Sequence, residues 1–267
     1  MGQVKVLIVG AGPAGTVCGL LLRKQGVDCM LADRAQFPRD KICGGGLTPR
    51  SYRLLSSMLP TFSYDYNSVT QLKLMLEGEQ IFDLHMDREL RIVKRREFDD
   101  SLLNEYCRNG GQFVNEALTD IEERDGKVIV TLKSDRQVIC DYLVAADGAN
   151  SRVRRYLAPH SDHGALWMEQ YGTKSSSNAI VINLSNQFDQ GYYYVFPNES
   201  YDVQGFGDHS TTPQKFRKVL IDMGCPNLKA KGAYIPNSID YPCNIHVNSA
   251  GSLIRYRIIG TSTAGYT

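Results

Sequence analysis

The chain has 267 residues, of which 42% are hydrophobic and 22% charged, and its 30 Lys and Arg nearly cancel its 29 Asp and Glu. This is the length of one large domain or two modest ones, with the composition of a soluble globular protein. The balance excludes a one-sign field that would gather nucleic acid or an anionic membrane, and no apolar run approaches the roughly 18 residues of a membrane span.

The first residues run straight into "VKVLIVG", with no basic n-region and no small-residue cleavage site, so no secretory signal is expected. Residues 4–9 predict a buried strand, Gly10 to Gly15 a turn, "TVCGLLLRKQ" a helix stopped at Gly26, and "VDCMLAD" a second strand. Such a β-α-β unit implies a parallel sheet. After a Pro- and Gly-bearing loop, "RSYRLLSSML" predicts a short amphipathic helix, and "QLKLMLEGEQIFDLHM" two strands joined at Glu77-Gly78. "EFDDSLLNEYCRNGG" predicts a helix with apolar positions 98, 102, 103 and 106, and "VIVTL" and "YLVAADG" predict strands. From residue 165 the chain is richer in Tyr, Asn and Ser, and "NAIVINL" and "GYYYVFP" predict an antiparallel sheet covering a pocket. The chain ends on "RIIGTSTAGYT", a strand and then small residues where a helix is expected, the ending expected of a truncated polypeptide.

Seven cysteines, at 18, 29, 43, 107, 140, 225 and 243, form no C-x-x-C pair and are odd in number. Neither a disulfide framework nor a metal site is expected, and a reducing cytoplasm fits. Most sit among apolar neighbours as small core residues; Cys43, between Lys41 and three glycines, is the exception. Lys41 and Arg39 themselves read as solvated charges.

"GAGPAG" follows the first strand and opens the first helix. Gly10 makes the turn, Gly12 admits a pyrophosphate to the backbone, and Gly15 lets helix and strand pack closely, with Ala14 between them. Asp33 ends the second strand 18 residues after Gly15, where a carboxylate can accept ribose hydroxyls; Arg34 follows it. FAD and NAD both use this unit. Two later stretches favour FAD: "VKRREFDDSLL", with Arg95 or Arg96 ahead of a helix, and "YLVAADGANSRVRR", with Asp147-Gly148 at a strand end. Both resemble patterns of the flavin-dependent hydroxylase superfamily, where the arginine and the Asp-Gly turn lie at the dinucleotide.

On that framework the chain resembles the geranylgeranyl reductase family. That family's P-x-x-x-x-C-G-G-G motif is present as Pro38, Cys43, Gly44, Gly45 and Gly46. Its Y-x-W-x-F-P segment followed by G-x-G is present as Tyr192, Phe196, Pro197, Gly205 and Gly207, with Tyr194 in place of the tryptophan. The resemblance implies a Rossmann-like FAD-binding α/β domain of the β-β-α three-layer type with an inserted antiparallel-sheet substrate domain. It places the FAD-binding domain at 1–70 and 90–160, with 255–267 returning to it, and the substrate region at 71–89 and 161–254. It implies reduction of carbon–carbon double bonds in a prenyl or similar hydrophobic chain, with FAD as hydride carrier and NADH, NADPH or ferredoxin as electron donor. Tyr192, Tyr194, Phe196, Pro197, Gly205 and Gly207 then belong to the substrate side. Gly44, Gly45 and Gly46 bring backbone N–H groups to the flavin. Cys43 faces the substrate as a proton donor or a positioning thiol, against the plainer alternative of a small loop residue. "YYYVF" is both slot lining and buried strand. A lipid substrate implies peripheral membrane contact without an anchor.

One family motif departs. Where the superfamily has G-D-A-A-G, this chain has "IIGTSTAGYT", so Ser262 stands at the aspartate that binds the ribityl chain. Two alternatives stay open: a flavin monooxygenase of the same superfamily, and an inactive truncated flavoprotein. The tryptophan-rich W-x-W-x-I-P segment of the halogenases is not found; the single tryptophan is Trp167.

Overall fold

A computed structural model describes residues 2–41, 43–157, 165–225, 229–235 and 258–260. In chain order the elements are β1 (Gly2–Val9), α1 (Pro13–Lys24), β2 (Cys29–Ala32), β3 (Gly46–Leu47), α2 (Pro49–Met58), β4 (Asn67–Leu76), β5 (Glu79–Ile92), α3 (Arg95–Arg108), β6 (Gln112–Val114), β7 (Leu118–Arg124), β8 (Lys127–Leu132) and β9 (Gln137–Ala145). They continue with α4 (Arg152–Leu157), β10 (Ala165–Gly172), β11 (Ala179–Leu184), β12 (Tyr192–Pro197), β13 (Asp202–Asp208), α5 (Pro213–Asp222), β14 (Lys231–Ile235) and β15 (Ile258–Gly260). These elements divide into two compact units.

The first unit takes residues 2–39, 99–157 and 258–260. Its sheet runs β6-β2-β1-β9-β8-β7, with β15 beside β9. β1 lies parallel to β2 and β9, and Leu7 and Ile8 are both wholly buried, as a central parallel strand covered on both faces requires. Pro13 opens α1 at a position where its missing N–H costs nothing. Gly26, at φ +71°, receives the chain after the helix, with its N–H on the Arg23 carbonyl and that of Val27 on Leu22. Gly19 turns toward Leu31 and Tyr106, and a Cβ there would lie 2.7 Å from the tyrosine ring. Tyr106 is itself wholly buried and donates to the Cys29 carbonyl at 3.0 Å, tying α3 to β2.

The second unit takes residues 40–41, 43–98, 165–225 and 229–235. Its sheet runs β14-β10-β13-β12-β11-β4-β5-β3, antiparallel throughout except for the β11–β4 pair. Glu77 and Gly78 turn β4 into β5 with φ of 51° and 86°, the left-handed pair that a two-residue hairpin needs. On one face Tyr193 and Phe206 pack against Phe216, Val219 and Leu220 of α5. This helix lies in a stretch read only for strands. Residues 40–70 and 90–98, expected in the FAD-binding domain, fall in this unit because Gly46 and Leu47 pair with Ile92 and Arg91 at the end of β5. Ser262 lies outside the described residues.

Candidate functional site

In the first unit the nucleotide turn joins β1 to α1. Gly10 has φ +105°, and a Cβ there would overlap the Ala146 carbonyl; a Cβ on Gly15 would overlap the Gly10 carbonyl. These two glycines are required by the packing of strand end on helix start. Gly12 is different. It is the N-cap of α1, no side chain caps that helix, and its first turn, which includes Ala14, holds no acid. The nearest atom a Cβ on Gly12 would meet is Arg39 Nη2, at 3.5 Å. Open N–H groups at a helix start beside a guanidinium fit a pyrophosphate.

Asp33 accepts from the Ala11 N–H at 2.7 Å and the Ala35 N–H at 2.8 Å, so it shapes the turn as well as facing it. A carboxylate has further lone pairs for a ribose hydroxyl. Arg34 beside it is exposed. Asp147 accepts from the Ser151 hydroxyl and from the Arg152 N–H at 2.7 Å, which ties it to the start of α4, where Ser151 caps the helix by accepting the Arg154 N–H at 2.8 Å. Gly148 follows at φ +76° with open space around it.

Arg39 is not a solvated charge. Its guanidinium lies 3.1 Å from Asp99, whose side chain is wholly buried, and 4.8 Å from the Phe37 ring centroid. Asp99 was legible: it falls on the helical series 99, 102, 103, 106 with Leu102, Leu103 and Tyr106, all buried. An acid on an apolar face asks for a partner.

In the second unit the two spaced motifs meet. A Cβ on Gly44 or Gly46 would lie 2.9 Å from the Phe196 ring, and Gly45, at φ +76°, would drive one into the Val93 carbonyl. The Gly45 carbonyl accepts the Val93 N–H at 2.9 Å. Close approach is thus made to Phe196 and Val93 of the protein itself, a use of these glycines that needs no cofactor. Cys43 at the head of the loop is exposed. Cys107 is exposed too, so Cys43 is no lone exception; Cys29 and Cys140 are buried, and Cys243 lies outside the described residues.

The glycines of G-x-G act on a sheet face. In register, Trp167 of β10, Gly207 of β13 and Tyr192 of β12 form one row, and Glu169, Gly205 and Tyr194 form the next. β10 and β12 are two strands apart, about 9.5 Å. With no side chain on the strand between, residues from the outer strands touch across it. Trp167 reaches Tyr192 at 4.8 Å between ring centroids, and Tyr194 stands edge-on to Phe196 at 5.3 Å. Pro197 closes the strand, its carbonyl accepting from Asn67 Nδ2 at 2.7 Å.

The second row contains a residue not anticipated. Glu169 is only 7% exposed in the middle of this aromatic face. It accepts from the Tyr194 hydroxyl, and Lys41, Arg95 and the Gly44 N–H lie close enough to favour its anion. Burial outweighs them and pushes the carboxyl up to about 7. Burial and the neighbouring carboxylate hold the Tyr194 phenol well above its ordinary range. Lys41, read as solvated, therefore belongs to this cluster, as does Arg95. Arg96 is exposed and lies 3.7 Å from Asp40, a carboxylate that also holds Lys231 at 2.8 Å. Among the described residues no group of three or more His, Cys, Asp or Glu could hold a metal ion, and no helix is long and apolar enough to cross a membrane.

A three-layer nucleotide unit with an uncapped glycine turn, followed by an antiparallel sheet, defines a flavoprotein of the Rossmann-like FAD-binding class. Residues 3–173 match the FAD binding domain family, and the chain belongs to it. It is 29% identical to an uncharacterized protein of Methanosarcina barkeri over 94% of this chain and 69% of that one. It is 31% identical to the menaquinone reductase of Mycolicibacterium smegmatis over 58% of this chain, spanning only 40% of that enzyme. Over 55% of the chain it is 27% identical to the geranylgeranyl diphosphate reductase of Rhodobacter capsulatus, covering 38% of it. In structure it is similar to a geranylgeranyl bacteriochlorophyll reductase-like protein of Thermoplasma acidophilum, with a TM-score of 0.79 at 17% identity over 97% of this chain and 70% of that one. The halogenase PltM in complex with phloroglucinol and FAD is also similar, with a TM-score of 0.71 at 18% identity over 86% of this chain and 60% of that one.

Proposed function

We propose that this chain is part of an FAD-dependent reductase that saturates carbon–carbon double bonds in a prenyl or similarly hydrophobic substrate. The observation carrying this reading is the seat of Gly44 and Gly46 on Phe196: two motifs about 150 residues apart in sequence form one structure. The named reductases of menaquinone and geranylgeranyl diphosphate support the substrate class, since both compounds are polyprenyl.

FAD, when bound, supplies two-electron chemistry charged by NADH, NADPH or ferredoxin. The start of α1, with Arg39 beside it, would hold the pyrophosphate, and Asp33 the ribose. An alkene offers no polar handle, so the chain's task is to position it and exclude water. The Trp167, Tyr192, Tyr194 and Phe196 face offers rigid apolar surface for that. Cys43, exposed at the end of the glycine loop, orients the alkene or gives it a proton. A lipid substrate arrives from a membrane surface, and exposed Leu76, Ile81 and Phe82 around the β4–β5 turn suit peripheral contact.

The test is anaerobic incubation of FAD-loaded protein and a reductant with a geranylgeranyl lipid. Mass spectrometry should find two mass units gained per bond reduced, with about a tenfold or greater loss of rate in Cys43→Ala. A product carrying oxygen or halide, formed only in air, would replace this reading with the monooxygenase one. A chain that stays colourless with FAD would favour an inactive flavoprotein.

A further inference from the structure

We infer that Asp99 is a positioning residue for the cofactor: it holds Arg39 so that one end of the guanidinium faces the phosphate-binding turn. This rests on the FAD-binding part of the functional reading and needs nothing of the alkene.

Three observations, all within the first unit, carry the inference. First, the guanidinium is held on one edge and one face. Nη1 lies 3.1 Å from Asp99 Oδ2, with that side chain wholly buried, and Cζ stands 4.8 Å from the Phe37 ring centroid. Second, the other edge faces the start of α1. Nη2 is the nearest atom that a Cβ on Gly12 would meet, at 3.5 Å. A guanidinium is a rigid planar fork, so fixing one nitrogen and the plane fixes where the other points. Third, the segment that carries Arg39 is fastened along its length. Asn115 Nδ2 donates to the Asp33 carbonyl at 3.0 Å and to the Ala35 carbonyl at 2.7 Å. Phe37 stands edge-on to Phe113 with 6.1 Å between centroids, and Asp33 accepts the Ala11 N–H at 2.7 Å. Residues 33–39 thus bracket the glycine turn, with an acid for ribose at one end and a base for phosphate at the other.

A buried ion pair is weak evidence for stability, because apolar residues of the same volume commonly do as well. A pair whose second guanidinium nitrogen is aimed at a helix start has a use that packing lacks. Arginine binds phosphate through paired donors in fixed geometry, and Asp99 sets that geometry before the ligand arrives. Little side-chain freedom is then left to lose on binding. Asp99 itself touches no phosphate; it acts through Arg39.

The test is a binding titration of the flavin-free full chain with FAD, and with ADP and adenosine as competitors. ADP carries the pyrophosphate and adenosine does not. Asp99→Asn, which keeps the shape and removes the charge, should weaken FAD and ADP about tenfold and leave adenosine unchanged. Arg39→Met should show the same selective loss. Adding Asp99→Asn to it should cost ADP nothing more, because the acid acts through the arginine. Should Asp99→Asn fail to fold by circular dichroism, Arg39→Lys carries the test. Its single nitrogen cannot serve Asp99 and the phosphate together, so ADP should again weaken selectively. Equal losses for ADP and adenosine, or a lower thermal midpoint with ADP affinity intact, mark a structural clip and overturn the inference. Additive losses in the double variant overturn it as well. Wild-type protein that takes up no FAD overturns the FAD-binding reading and the inference together. Failure to reduce an alkene with FAD bound overturns the alkene reading alone.

Discussion

Glu169 also links the site to stability. Its value of about 7 in the folded chain lies above the ordinary 4.5, so the folded state binds this proton more tightly than the unfolded state. The sign follows: the contribution is complete below about pH 4.5 and is lost as pH rises through about 7, a fall of about 3 kcal/mol at ~1.4 kcal/mol per pH unit. Urea unfolding across this range should show wild type losing stability relative to Glu169→Gln, with the difference levelling above pH 7. Parallel curves would mean that the carboxyl titrates as it does in water. No local pattern announces this residue. "WMEQY" shows a glutamate between aromatics, and only strand register sets it against Tyr194. Asp99 is the contrary case, because the helical period alone puts it among Leu102, Leu103 and Tyr106.

At the scale of elements, the glycines of β13 let β10 and β12 communicate. Gly205→Ala would force a methyl into the Tyr194 ring, whose surroundings leave it 6% exposed. Overpacking of this kind costs about 1–3 kcal/mol, and the thermal midpoint should fall by several degrees while secondary structure, read by circular dichroism, is retained. An unchanged midpoint would show that the ring moves aside freely. Much of the element order was readable because local chemistry sets it. The β1-α1-β2 unit follows from apolar runs and glycine stops, and the β4–β5 hairpin from Glu77-Gly78. Helix α5 carried equally local signals, since Thr212 accepts the Lys215 N–H, Pro213 opens the helix, and Phe216, Val219 and Leu220 share one face. The Tyr- and Asn-rich surroundings obscured them.

For the molecule as a whole, the first unit predicts a cofactor-linked stability. FAD at a hundred times its dissociation constant should stabilise the chain by about 2.7 kcal/mol, seen as a raised thermal midpoint. Asp33→Ala should weaken FAD binding about tenfold, because it strips the Ala11 N–H of its acceptor as well as removing a ribose ligand. Equal affinity in fluorescence titration would count against Asp33 as a site residue.

The sequence by itself determined the nucleotide turn, the order of its β-α-β unit and the presence of two spaced motifs. Each depends on glycine, proline and apolar spacing within one continuous stretch of chain. Tertiary structure decided that Gly44 and Gly46 seat on Phe196, that Gly205 and Gly207 open a sheet face, that Arg39 pairs with Asp99, and that Glu169 is buried against Tyr194. The Arg39–Asp99 pair depends on where that loop meets α3, and the others on which strands are neighbours and in what register. A one-residue slip of either strand would send Glu169 or Tyr194 to the other face, and nothing local to any single strand specifies the register.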